Sequence, residues 1–115
     1  YVETFPRPLW TVGRGTYMDE LVRAAGGENV FADLGRPSVT VSAEEVVRRA
    51  PEVILSLEAS REDISRRPGW SRVPAVRDGR IIDDIPRALI SRMGPRLPEA
   101  VEQVQLRLKR WFPPR

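Results

Sequence analysis

Residues Val53-Ile54-Leu55-Ser56-Leu57 form an unbroken apolar run just after Pro51. A strand that is apolar on both faces needs cover on both, and helices crossing a parallel sheet supply it. The sequence announces such helices. Thr16 with Asp19, Ser42 with Glu45 and Ser60 with Asp63 each place a hydroxyl three residues before a carboxylate, the spacing of a helix-capping box. After Thr16, the residues Met18, Leu21, Val22 and Ala25 recur at helical spacing, and Gly26-Gly27 ends that stripe. After Ser42 the expected buried stripe is Ala43, Val46, Val47 and Ala50, closed by Pro51. The third helix is short and ends near Pro68-Gly69.

The remaining chain fills in around this frame. Residues 1–5 alternate and read as one strand, ended by Pro6 and Pro8. Leu9 to Gly15 reads as a loop, Asn29 to Leu34 as an apolar connection and Gly35-Arg36-Pro37 as a turn. Val73 to Val76 and Arg80 to Ile85 read as strands separated by an Asp78-Gly79 turn. Pro86 opens a short helical stretch to Arg92, interrupted by Gly94-Pro95. A last helix follows to Trp111, with Leu97, Val101, Val104, Leu108 and Trp111 on its buried face. Strands and helices in this alternation specify an α/β fold: a three-layer Rossmann-like sandwich with a mainly parallel sheet, in a single domain over residues 1–115. No repeat or linker interrupts it.

Composition removes several functions. The chain has no Cys and no His, which excludes thiol and imidazole nucleophiles, a Ser-His-Asp triad and metal sites built on those ligands. The net charge is +3, and all but one (Lys109) of the 19 basic residues are Arg. These are interspersed with Asp and Glu, which argues against a nucleic-acid face. No apolar run approaches the roughly 20 residues of a membrane span. The opening Tyr1-Val2-Glu3-Thr4-Phe5 has neither the basic start nor the cleavage site of a signal peptide.

The stretch Pro8-Leu9-Trp10-Thr11-Val12-Gly13-Arg14-Gly15-Thr16, followed by Ala25-Gly26-Gly27-Glu28-Asn29-Val30-Phe31, resembles the start of the carboxy-terminal lobe of the vitamin B12 and siderophore binding proteins of ABC importers. Val41-Ser42-Ala43-Glu44-Glu45-Val46, Ala50-Pro51-Glu52-Val53-Ile54-Leu55 and Ser91-Arg92-Met93-Gly94-Pro95-Arg96 agree in order and spacing. The resemblance implies a bilobed receptor in which a long helix joins two α/β lobes and the ligand sits between them. It assigns residues 1–115 to the carboxy-terminal lobe and leaves the amino-terminal lobe, the linking helix and the secretory or lipoprotein signal outside these residues. It implies a periplasmic or membrane-anchored location, no resident cofactor, and two partners: a cobalamin-like or ferric siderophore ligand, and a membrane permease.

The same resemblance points to particular residues. Trp10 matches an aromatic ligand contact, and a flat ring there suits a macrocycle. Its other reading is local packing under the loop. Thr11 and Ser38 lie beside it in the expected ligand set. Arg92 matches an arginine that reaches the amide rim of a corrin. Its five donors suit several carbonyls, although it also fits an ordinary helix-end cation. Ala88 stands where the best-known pattern has an acidic partner, and Ser38 where it has a second tryptophan, which leaves room for another chelate such as haem or a ferric siderophore. Glu44 matches the surface glutamate that pairs with permease arginines; its plainer role is to complement a helix N-terminus.

Two readings of other classes stand beside this one. Gly13, Arg14 and Gly15 precede a helix and could cradle a phosphate in a small α/β enzyme, with Asp19, Glu20, Asp83 or Asp84 as base, but the motif lacks the dinucleotide and Walker patterns. Asp83-Asp84 could also hold a divalent cation, although two carboxylates are few oxygen ligands. Alternatively, the lobe could serve only to pair with another copy through its cleft face.

Overall fold

The structure, a computed structural model, describes residues 1–86 and 97–113. Two small sheets organise it. Strands β1 (Val2–Glu3), β5 (Ile54–Ser56) and β6 (Ile81–Ile82) form a parallel sheet in the order β1-β5-β6. Strands β2 (Phe5–Pro6), β3 (Leu9–Val12) and β4 (Ser38–Thr40) form an antiparallel one.

The apolar run at 53–57 accounts for the layers. Val2, Leu55 and Ile82 are in register across the parallel sheet and share one face. They pack with Met18, Leu21 and Ala25 of helix α1 (Tyr17–Ala24) and its C-cap, and with Ala100 and Val104 of helix α5 (Leu97–Trp111). Tyr1, Ile54 and Ile81 take the other face. They pack with Val46 of α2 (Ala43–Arg49), Ile64 of α3 (Arg61–Ser65), Trp70 of a 3₁₀ turn (Trp70–Arg72) and Ala75 of α4 (Pro74–Arg77). Helices therefore cover both faces of the parallel sheet, as in a single Rossmann-like lobe. Ile54 and Ile81 are essentially inaccessible, and each such burial stabilises by about 1.5–3 kcal/mol.

All three hydroxyl caps form. Thr16 Oγ1 accepts from Asp19 N at 3.2 Å, Ser42 Oγ from Glu45 N at 3.1 Å and Ser60 Oγ from Asp63 N at 3.2 Å. The stripe expected on α2 is narrower than its spacing predicts: Val46 is buried and Val47 half-buried, but Ala43 and Ala50 are exposed. Ala50 terminates α2 in the left-handed region, at φ 48°. There the chain turns into Pro51, whose ring disfavours a helical residue before it.

Three expectations change. Residues 1–5 are not one strand: the chain bends at Thr4, and β1 and β2 belong to different sheets. Leu9–Val12 is a strand, not a loop, because Pro6 to Pro8 turns the chain back so that β3 pairs with β2. In place of the strand expected over Val73 to Val76, Val73 is an extended N-cap and Pro74–Arg77 is helical. Pro74 sits at the first helical position, where its fixed φ and missing N–H cost nothing. The strand expected over 80–85 shortens to β6, and the helical stretch proposed for Pro86 to Arg92 lies almost wholly outside the described residues.

Candidate functional site

The antiparallel sheet presents an outward face. Along β3 the side chains alternate. Leu9 packs against the Tyr1–Phe31–Trp70 cluster, and Thr11 is fully buried with its hydroxyl donating to Val2 O at 2.6 Å. Trp10 lies between them and so faces the other way, half-buried, on the side where Val12, two residues on, runs into the core formed with Val2 and Leu55. Phe5 of β2 and Thr40 of β4 stand directly opposite Trp10 on either side. Residues directly opposite in antiparallel strands share a face, so Phe5, Trp10 and Thr40 form one row across the sheet. Ser38, exposed and paired with Val12, lies two residues along on the same face.

The structure thus brings Trp10 and Ser38 onto one surface and turns Thr11 away from it. Thr11 had been expected beside the ligand; its hydroxyl is committed inside the fold. Arg92 and Ala88 lie outside the described residues. Phe5 and Thr40 were not anticipated from sequence. The signal that could have found them was the Pro6-Arg7-Pro8 turn, read as a hairpin and not as a strand end.

The face is held from behind. Gly13 closes β3 where an added Cβ would lie 2.2 Å from Arg36 O and 2.6 Å from Leu34 O, so only glycine permits the approach of the 34–36 segment. Asn29 Nδ2 donates to Val12 O at 2.8 Å, and its Oδ1 accepts from Phe31 N at 3.0 Å. At the end of β1, Arg67 donates twice to the buried Glu3 carboxylate, at 2.5 and 2.8 Å, and Tyr1 Oη donates to it at 3.0 Å. Burial, with the Glu3 charge beside it, pushes the Tyr1 phenol upward.

Glu44 is exposed in the first turn of α2. Among the described residues it makes no hydrogen bond or ion pair. Its neighbour Glu45 is engaged by both Arg48 and Arg49, and Arg49 also holds Asp33, at 2.6 and 3.1 Å. Hydrogen bonds first from Arg48 and then from Arg49 hold the Glu45 carboxyl down at about 2. The helix start therefore carries one carboxylate tied down within the fold and one left available.

Other candidate groups are occupied. Gly15 N donates to Asp19 Oδ2 at 3.0 Å, so a carboxylate already takes the amide that a phosphate would need. Asp83 Oδ2 accepts from Arg61 N at 2.8 Å, and Asp84 pairs with Arg107 at 2.8 and 2.9 Å. Among the described residues no group of three or more potential metal ligands converges. A groove of about 530 Å³ opens between α1 and α5 beside Tyr1, Val22, Val53, Leu108 and Phe112. Neither Trp10, Ser38 nor Glu44 lines it, so the candidate ligand surface is an open sheet face and not this groove.

Comparison with known proteins agrees with this architecture. Residues 3–88 match the profile of the periplasmic binding protein family. An uncharacterised ABC transporter substrate-binding lipoprotein of Bacillus subtilis (strain 168), YvrC, is 32% identical over 106 residues, spanning 90% of this chain and 33% of that protein. The vitamin B12-binding protein of Pectobacterium atrosepticum is 31% identical over 104 residues, spanning 90% of this chain and 36% of its own. The crystal structure of the periplasmic vitamin B12 binding protein BtuF of Vibrio cholerae superposes with a TM-score of 0.77 at 29% identity, over 94% of this chain and 42% of that one. The chain thus spans about a third of the length of the curated relatives it matches. These relatives are solute-binding proteins, not enzymes.

Proposed function

The chain belongs to the periplasmic binding protein family, and on that premise we propose that it is the carboxy-terminal ligand-binding lobe of an ABC importer's receptor for cobalamin or a related corrinoid. The observation that carries the reading is Trp10: a half-buried indole on the face of β3 opposite to the buried Thr11, with Phe5 and Thr40 directly across from it. An indole so placed offers flat apolar area to a macrocycle, with Ser38 beside it as a polar contact. Arg92 is proposed to meet the polar rim of the ligand. A second lobe, outside these 115 residues, would supply the opposite wall and close over the ligand.

Glu44 is proposed as the docking contact with permease arginines. Its support is its freedom beside a Glu45 that is tied to two arginines. Docking charges of this kind set orientation and association rate more than affinity. The setting is periplasmic or extracytoplasmic, as the names of the relatives indicate for those proteins. The neighbouring ligand classes, ferric siderophore and haem, are the alternative cargo.

Equilibrium dialysis of the chain against cyanocobalamin tests the reading. Retention that falls several-fold in Trp10→Ala, with the fold intact by circular dichroism, is expected. No retention by the unaltered chain at millimolar ligand would remove cobalamin as a ligand of this lobe.

A further inference from the structure

The outward face holds more than the indole. Phe5 is 49% exposed and stands directly across from Trp10. The other large apolar residues exposed among the described residues are Leu106 and Phe112. Phe112 lies under the Arg80 guanidinium at 4.4 Å, whereas Phe5 has no ring or cation partner among the described residues. The register sets this uncovered phenyl ring and the half-buried indole on one face of the hairpin, so that a flat ligand lying on the indole would also meet the phenyl ring.

Charge adds a direction to this surface. Arg7 sits two residues past Phe5, in the turn joining β2 to β3. It is exposed and makes no hydrogen bond or ion pair among the described residues. Pro6 and Pro8 flank it and restrict the backbone that carries it. Arg49 is held by Asp33 and Glu45, Arg67 by Glu3 and Arg107 by Asp84, whereas no such carboxylate holds Arg7 among the described residues. Arg7 is therefore an exposed guanidinium in the turn next to the Phe5–Trp10 pair, without a partner among the described residues, and guanidinium donors match carboxylate and phosphate oxygens.

We propose that Phe5 and Arg7 are specificity-determining contacts for a planar ligand that carries an anionic group on its rim, Phe5 extending the Trp10 surface and Arg7 pairing with the anion. This rests on the ligand-binding reading of the Trp10 face and adds to it the chemistry of the ligand's edge. Two sources fit that chemistry. One is the phosphate in the nucleotide tail of a corrinoid; the other is the carboxylates of a haem-like macrocycle.

Calorimetric titration of the 115-residue chain with cyanocobalamin, dicyanocobinamide (which lacks the nucleotide tail) and haemin separates them. Phe5→Ala is expected to weaken the ligand that binds by about 3- to 10-fold. Arg7→Ala is expected to weaken it similarly, and Arg7→Lys to recover part of the loss. A loss in Arg7→Ala for cyanocobalamin but not for dicyanocobinamide identifies the phosphate; a loss for haemin identifies the carboxylates. Both positions are exposed, so the variants should keep the native spectrum. If Trp10→Ala weakens binding while Phe5→Ala and Arg7→Ala match the unaltered chain, this inference is overturned and the ligand-binding reading stands. If the unaltered chain binds none of the three, both fall together.

Discussion

Replacing Arg67 by Ala should be among the most damaging single changes to this fold, although Arg67 lies at no candidate ligand contact. Its partner Glu3 is completely buried at the end of β1 and takes two guanidinium hydrogen bonds, at 2.5 and 2.8 Å. Truncation leaves that carboxylate in the core with, among the described residues, only the Tyr1 hydroxyl as donor. Breaking a buried pair from one side costs about 3–5 kcal/mol. The guanidinium also lies 4.5 Å from the centre of the Trp70 ring, which adds about 0.5–1 kcal/mol to the loss. Domains of this size are stable by only about 5–15 kcal/mol. Urea unfolding followed by circular dichroism should therefore show a loss of about 3 kcal/mol or more, with a drop of roughly 10 °C or more in Tm. The double variant Glu3→Gln with Arg67→Met should recover much of the loss, since no uncompensated charge remains. A single variant that loses less than about 1 kcal/mol, or a double variant as unstable as the single, would refute the reasoning.

Other outcomes follow from local geometry. Gly13→Ala should destabilise by about 2 kcal/mol or more, because the new methyl meets two backbone carbonyls that cannot swing aside; chemical denaturation reads it directly. Ser42→Ala removes the cap of α2 and should cost about 1 kcal/mol by the same assay. Ala50→Gly should stabilise by up to about 1 kcal/mol, since a left-handed backbone penalises a Cβ. The Glu45 carboxyl is depressed from 4.5 to about 2, so its contribution is present above pH 4.5 and is lost as pH falls through 2; an NMR titration of its side-chain carbon should give that midpoint, and Arg48→Ala should raise it.

Much of the lobe was legible in the sequence because its signals are local. A hydroxyl three residues before a carboxylate marked each of the first three helices, and the backbone amide at the third position is indeed capped in all three. The doubly apolar run at 53–57 required helices on both faces, and Leu55 and Ile54 point to opposite cores. What was not legible depends on contacts distant in sequence. Leu9–Val12 is a strand because β2 and β4 lie on either side of it, and β4 begins only at Ser38, far along the chain. Thr11 and Trp10 are adjacent in sequence, so motif matching treated them alike; the pleat sends one to the core and the other outward. Val73-Pro74-Ala75-Val76 has strand-like composition, but Pro74 fits a first helical turn and the segment folds over Ile81 and Trp70. Phe5 remained hidden for the same reason as β3: its importance arises only when the hairpin sets it across from Trp10.

On the proposed reading, ligand meets the Trp10 face of β2, β3 and β4 and not the groove between α1 and α5. Amide and indole NMR shifts of the chain, followed while cyanocobalamin is added, test it most directly. Shifts are expected to concentrate at Phe5, Arg7, Trp10, Ser38 and Thr40, with Val22, Val53, Leu108 and Phe112 unmoved. Shifts confined to the latter group would instead place the ligand in the groove and rule out the Trp10 face.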